Sequence, residues 1–329
     1  MKHDTPSNLE RRALLKASLA AAAGTLIAGA GALAPLAARA DGSAKVLRVG
    51  YQKYGALILL KARGTLEKRL APLGVTVEWR EFPAGPQLLE GLNAGAIDVG
   101  TVGETPPIFA QAGGVNFVYI GNEPPAPAAE AIVVPHDSPL KTVADLRGKR
   151  VALNRGSNVH FLLVRALEKA GLKYTDIQPN YLTPSDARAA FTQGGIDAWV
   201  IWDPYFAAIQ RQENARVLTD GTGLVKNLQF YVATRSYAGS QPAILNALLD
   251  EIAALDAWGA QHLPDVSALL AGQTGLDNAT VDLAVKRTMF GATRITDATL
   301  AYQQQIADAF NELKLIPKPL TVTEARWKV

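Results

Sequence analysis

Two stretches of the chain hold the residues best placed for chemistry, and they say nearly the same thing. Residues 94–106 read AGAIDVGTVGETP, and residues 194–204 read GGIDAWVIWDP. In each, a Gly and a small residue precede Ile-Asp and an apolar run follows. Six residues after Asp98 or Asp197 stands a second acid, Glu104 or Asp203, close to a Pro. Bond-making chemistry has little to work with elsewhere. The chain has no Cys, which removes thiol nucleophiles, thiolate metal sites, disulfides and a lipid-carrying N-terminal Cys. His3, His136, His160 and His262 are too scattered for a metal site and read as structural or surface residues, with His160 alone placed near a functional loop. Gly156-Ser157-Asn158-Val159-His160 lacks the second Gly of a nucleophile elbow. Gly113-Gly114 and Gly194-Gly195 read as helix C-terminal turns rather than phosphate loops.

The elements that position these residues alternate between strand and helix. Apolar runs at 46–50, 75–80 and 97–101 are separated by helical patterns at 56–70 and 86–93, with a third helix at 105–112. A second pass repeats the order with strands at 150–153, 177–182 and 196–202 and helices at 158–170 and 184–193. Such alternation predicts parallel sheets with their site at the strand C-terminal ends. The repeat is therefore two lobes of like topology, each with a third strand ending in an acid. Strand-like Ala131–Pro135 and Gln229–Thr234 read as the two crossings between lobes, and helices near 242–262, 264–271, 278–287 and 298–313 return to complete the first lobe. The reading is a clamshell: residues 41–130 with 231–329 form lobe 1, and 131–230 form lobe 2, with the site in the cleft.

Bulk properties bound the rest. At 329 residues and 48% hydrophobic, the chain can bury a large core. Its net charge of +3 comes from the first 40 residues, which carry Lys2, Arg11, Arg12, Lys16 and Arg39 against Asp4 and Glu10. The remainder is balanced, so no electrostatic footprint for nucleic acid is present. Those 40 residues read as an export signal: paired arginines, an Ala/Gly-rich stretch and an Ala38-Arg39-Ala40 cleavage site. They fit a twin-arginine signal, with the general secretory route as the alternative, and place the mature start at Asp41.

Several motifs together resemble the periplasmic aliphatic sulfonate-binding proteins of ABC importers, in the sulfonate, taurine and nitrate branch of type II solute-binding proteins. They are Glu81-Phe82-Pro83-Ala84-Gly85-Pro86-Gln87, Pro106-Pro107-Ile108-Phe109-Ala110-Gln111, Asp145-Leu146-Arg147-Gly148-Lys149, the segment Tyr181 to Phe191, and Ile201-Trp202-Asp203-Pro204-Tyr205. The resemblance runs from about Leu47 to Trp327. It implies the α/β type II clamshell with two parallel-sheet-based lobes joined by two hinge crossings. It further implies a soluble periplasmic monomer that uses no cofactor and is not a lipoprotein. Such a protein delivers sulfonates to a permease and its ATPase for sulfur acquisition, after export by the translocon. Two loops depart from the family pattern, Gln52-Lys53-Tyr54-Gly55 where a Gly-Ser pair is expected and Gly103-Glu104-Thr105 where Gly-Asp-Ile is expected.

A sulfonate stays ionised and offers only acceptor oxygens, so it is met by N–H groups at helix starts, amides and hydroxyls. On this reading Gln52, Tyr54, Gly55, Gln87, Gly103, Thr105, Ser157, Asn158 and His160 face the ligand. Ser157, Thr105 and Asp203 are equally suited to capping their helices. Glu104 and Asp203 repel an anion, so their expected work is to accept backbone N–H groups or link the lobes, and secondarily to meet an amino group. Trp202 is expected as a wall for the ligand tail, with core packing as its alternative. Taurine, nitrate, aromatic sulfonates and pyrimidines remain open as ligands. An enzyme on the same fold would need a reactive group that the chain does not supply, and a sensor or scavenger without a transport role also stays open.

Overall fold

The computed structural model describes residues 45–328, so the expected signal segment and its cleavage site lie outside the described residues. The first pass lays down β1 (Lys45–Tyr51), β2 (Val75–Glu81), β3 (Val99–Gly103) and β4 (Phe117–Asn122). The second lays down β5 (Glu130–Val134), β6 (Arg150–Leu153), β7 (Gln178–Tyr181), β8 (Ala198–Trp202) and β9 (Arg216–Asp220). Two more strands follow, β10 (Gln229–Thr234) and β11 (Thr293–Arg294). They form two sheets, ordered β11-β4-β10-β3-β1-β2 and β7-β6-β8-β5-β9. Apart from β11, the orders match position for position, with β10 in the first sheet standing where β5 stands in the second.

This corrects two expectations. The strands read as crossings belong to sheets, β5 to the second and β10 to the first, and the crossings are 123–129 and 221–228. Each sheet is also mixed rather than parallel: β10 runs antiparallel to β3 and β4, and β5 runs antiparallel to β8 and β9. The reason is where the chain enters. The parallel strands end at the cleft, so a strand arriving through a crossing begins there and must run outward. The crossings lie side by side, with Ala126 N donating to Lys226 O (3.0 Å), Gly221 N to Pro127 O (3.1 Å) and Asn227 Nδ2 to Ala126 O (2.8 Å).

The repeated Ile-Asp is a folding device. Asp98 accepts the Arg48 backbone N–H (2.9 Å), Nε (3.0 Å) and Nη2 (2.7 Å), while Arg48 Nη1 donates to Gly95 O (2.6 Å). In the second lobe Asp197 accepts Arg150 N (2.8 Å), Nε (3.2 Å) and Nη2 (2.8 Å), and Arg150 Nη2 donates to Gly194 O (3.2 Å). Gly95 and Gly194 hold φ of 71° and 70°, so each turn needs its glycine. Each Asp thus pins the turn before the third strand to the first strand of its lobe. Asp98→Ala should lower stability by about 2 kcal/mol and the more exposed Asp197→Ala by about 1 kcal/mol, read from denaturant midpoints. Equal midpoints for both variants and the parent would refute the pinning role.

The helices are α1 (Ala56–Arg63), α2 (Thr65–Leu70), α3 (Gly85–Asn93), α4 (Pro106–Ala112), α5 (Asn158–Lys169), α6 (Pro184–Thr192) and α7 (Tyr205–Gln212). The returning tail adds α8 (Arg235–Ser240), α9 (Pro242–Gly259), α10 (Leu263–Thr274), α11 (Asn278–Val285) and α12 (Asp297–Glu312). The single helix expected over 56–70 is two, because Gly64 takes the left-handed conformation (φ 61°) and ends α1; Leu57, Leu60, Leu66 and Leu70 stay buried on both sides of the break, which made the stretch read as one. Those leucines pack with Leu248, Ile252, Val266 and Val281 of the tail. The tail does more than this. Phe310 of α12 packs on Phe109 of α4 (5.1 Å between ring centroids) and on Phe161 of α5 (5.9 Å), so it bridges both lobes.

Candidate cleft site

Strands β1, β2, β3, β6, β7 and β8 run parallel within their sheets and deliver α1, α3, α4, α5, α6 and α7 from their C-terminal ends. Two groups of expected residues result. In the first, a Cβ on Gly85 would lie 2.7 Å from Pro106, so the starts of α3 and α4 touch. Across the cleft, a Cβ on Gly156 would lie 3.2 Å from the Phe109 ring, and one on Gly103 would lie 2.8 Å from Asn158 Cβ. This brings Gln87, Gly103, Thr105, Ser157 and Asn158 to one seam between the lobes. The second group, Gln52, Tyr54 and Gly55, lies in the loop leading to α1, where Gln52 Nε2 donates to Thr101 O (3.0 Å).

Capping differs from expectation. Ser157 and Thr105 occupy N-cap positions, but neither side chain accepts an amide of its helix; the Ser157 hydroxyl instead donates to Asn154 O (2.7 Å). Thr183, Asp277 and Thr296 do cap α6, α11 and α12. Helices α1 and α5 open at the cleft with neither a side-chain cap nor a Pro in the first turn, which leaves their first N–H groups free for an acceptor. Nearby, Gln87 Oε1 and Thr105 Oγ1 are buried without hydrogen-bond partners.

The two acids at the strand ends have structural work. Glu104 is fully buried and accepts Leu228 N (2.9 Å) from the second crossing, with the Tyr302 hydroxyl at 3.4 Å. Burial pushes its pKa up to about 7 against the pull of those donors. Glu130 is raised for the same reason and by the charge of Glu104; it accepts from Asn158 Nδ2, which also donates to Asn227 Oδ1 (3.0 Å). Asp203 accepts Ala207 N (2.9 Å) and Arg287 Nη1 (3.2 Å), and burial lifts its pKa to about 6. Carboxyls raised on folding contribute stability that is full below their ordinary pKa and lost as pH rises through the folded value. Stability should therefore fall between about pH 4.5 and pH 7. Glu104→Gln should remove a share of that fall on the order of 3 kcal/mol, measured by denaturant unfolding at pH 5 and pH 8. The same pH slope in the variant would contradict this.

Sequence reasoning missed the groups that tie the lobes together. Arg287, before β11, reaches Asp203 and donates Nη2 to Gln210 Oε1 (2.5 Å), and its guanidinium lies 3.9 Å over the Phe206 ring. Arg211 of α7 donates Nε to Thr280 Oγ1 of α11 (3.2 Å). No local signal pointed to them, since Arg287 and Arg211 meet partners 84 and 69 residues away along the chain. His160 is fully buried among Phe109, Tyr174 and Phe310 and accepts Gly156 N (3.2 Å); burial, then the charge of Arg155, lowers its pKa to about 3. It is a neutral core residue.

A cavity of about 30 Å³ lies beside the start of α1. Its walls are Ala56 and Leu59, with Val266, Leu270, Val281 and Val285 from the tail, and it reaches Pro204 of the second lobe. Tyr54 and Gly55 line it, whereas Trp202 does not; that ring is 7% exposed and meets Tyr205 edge-on at 6.1 Å.

Two sheets of matching order, joined by two adjacent crossings with uncapped helix starts at the seam, define a periplasmic-binding-protein clamshell. The chain belongs to the NMT1/THI5 like family, whose sequence pattern matches residues 73–259. It is 46% identical over 304 residues to a protein of Escherichia coli (strain K12) described as an aliphatic sulfonates-binding protein, covering 92% of this chain and 95% of that one. Among solved structures it is similar to the alkanesulfonate-binding protein from Xanthomonas axonopodis pv. citri bound to MOPS. That match has a TM-score of 0.83 and 40% identity and covers 86% of this chain and 98% of that one. It is also similar to the periplasmic aliphatic sulphonate binding protein from Escherichia coli, with a TM-score of 0.78 and 47% identity over 86% and 97% of the two chains.

Proposed function

We propose that the chain is a periplasmic solute-binding protein that captures aliphatic sulfonates between its lobes and presents them to an ABC importer. The observation that carries the reading is the juxtaposition at α1. An uncapped helix start with Lys53 beside it adjoins a small space of about 30 Å³ whose lining is mainly aliphatic, which suits an anionic head at the helix start with the first part of an apolar body against Leu59 and Val266. The high identity to sulfonate-binding relatives over nearly their full length supports the same ligand class. The Thr105 hydroxyl, buried without a partner, and the start of α5 would supply further donors from the seam. Trp202 then packs the floor of the second lobe, and the tail wall passes to α10 and α11.

No covalent step is part of this function. The Ser157 hydroxyl is bound to a carbonyl and His160 is buried and neutral, so neither forms a nucleophile with its base. Among the described residues no helix is long and apolar enough to cross a membrane. The test is a thermal-shift panel on the chain from Asp41, refolded to strip carried ligand, with ethane-, butane- and octanesulfonate, sulfate and nitrate. An alkanesulfonate at a thousand times its Kd should add about 4 kcal/mol and raise the midpoint by several degrees. A rise with nitrate or sulfate alone would overturn the assignment.

A further inference from the structure

The space of about 30 Å³ beside α1 takes only the first part of a ligand body, so a longer body must leave it through its mouth. Of the residues that line it, Met289 alone is exposed, at 51%, which puts that side chain at the mouth. The backbone beneath it is fixed on both sides. Arg287 Nη1 donates to Asp203 Oδ2 (3.2 Å), the Thr288 hydroxyl to Ala284 O (3.3 Å), and the amides of Gly291 and Ala292 to Asp256 Oδ2 (2.8 and 2.7 Å). Phe290 is wedged against α9, where a Cβ on Gly259 would lie 2.9 Å from its ring. A rigid segment thus presents a flexible, polarisable thioether two residues from the arginine that links the lobes. The chain has no Cys and its only other Met is Met1, so in the chain from Asp41 the Met289 side chain holds the only sulfur.

We propose that Met289 is the outer wall for the ligand tail and an oxidation site whose modification weakens capture of long-chain sulfonates. The proposal rests on the sulfonate reading of the cleft, and deepens it with a residue that sets tail preference and a modification that changes it. A two-electron oxygen donor such as hypochlorous acid transfers its oxygen to the thioether sulfur. The sulfur is oxidised to a sulfoxide, the chlorine is reduced and leaves as chloride, and the proton of the acid passes to solvent. A sulfoxide is polar and keeps its water, so its contact with an alkyl chain at the mouth is lost. Contact with roughly two methylene groups corresponds to about tenfold in affinity. Ligands too short to reach the mouth are spared.

Calorimetric titration of the chain from Asp41 with ethane- and octanesulfonate, before and after one equivalent of hypochlorous acid, decides it, with the added oxygen located by peptide mass mapping. The oxidised parent should bind octanesulfonate about tenfold more weakly and ethanesulfonate within about twofold of its starting affinity. Methionine sulfoxide reductases for both sulfoxide epimers should restore the parent values. Met289→Leu should bind octanesulfonate like the parent and lose nothing on the same treatment, and Met289→Gln should reproduce the loss without oxidant. Oxygen found elsewhere than on Met289, unchanged octanesulfonate affinity once Met289 carries it, an equal loss for ethanesulfonate, or the same loss in treated Met289→Leu would overturn the proposal while leaving the sulfonate reading intact. Failure of every sulfonate to bind the untreated protein would remove the reading itself.

Discussion

Replacing Arg287 by Ala should weaken sulfonate binding about a hundredfold at pH 8. Arg287 is 15% exposed and its partner Asp203 is wholly buried, so the substitution strands a carboxylate in the seam between lobes. Breaking such a pair costs about 3–5 kcal/mol where the remaining charge cannot escape, and each 1.4 kcal/mol is tenfold in affinity. Asp203 has an escape, because its pKa already stands near 6 with Arg287 in place and rises further without it. At pH 5 the stranded group is neutral, and the loss should shrink to tenfold or less. Arg287→Lys should recover only part of the affinity, since one ammonium cannot serve Asp203 and Gln210 as the planar fork does. Parent-like affinity for Arg287→Ala at pH 8 would show that the clasp does not hold the closed lobes.

Gly103→Val tests the same closure sterically. The new Cβ would sit 2.8 Å from Asn158 Cβ and 3.0 Å from its Cγ, and Asn158 is fixed by Glu130 and Asn227. Gly103 does not have a positive φ, so a side chain strains the gap between lobes rather than its own backbone. Overpacking of this kind costs about 1–3 kcal/mol, which predicts a 10- to 100-fold loss of affinity. Gly103→Ala should lose less than Val. The free protein should unfold near the parent midpoint, because the open lobes relieve the contact. Unchanged affinity in calorimetry would place the ligand outside the seam.

Much of this arrangement was legible in the chain, and the illegible part has a common cause. Local pattern located α3, α4, α5, α6 and α12 within a residue or two, because amphipathic periodicity and Gly or Pro at the ends are short-range signals. The Gly-small-Ile-Asp repeat announced two lobes of one topology, yet it concealed its purpose. The partners Arg48 and Arg150 lie some fifty residues upstream, although their matching places in the first strand of each lobe were there to be noticed. Strand direction could not be read from β5 or β10 alone, since it depends on which end of the sheet the chain enters. Trp202 looked like a cleft residue from its neighbours Asp203 and Pro204. Its ring is not among the walls of the cavity beside α1 and instead meets Tyr205 edge-on.

The acids of the cleft acquire a consistent explanation. An anion-binding protein that buries Glu104, Glu130 and Asp203 near its site must prevent them from opposing the ligand. Glu104 is met by the amide of Leu228, Asp203 by Arg287, and Glu130 by Asn158, each partner coming from a crossing, the tail or the start of α5. Their charge is thereby held down by neutralisation or protonation, while their hydrogen bonds tie the moving parts.

The central claim is that ligand is held between lobes that close on it, and small-angle scattering with and without saturating butanesulfonate tests it most directly. The account predicts a smaller radius of gyration with ligand for the parent, and a weaker contraction for Gly103→Val at the same saturation. Identical profiles for the parent, with binding confirmed by calorimetry in the same buffer, would contradict it.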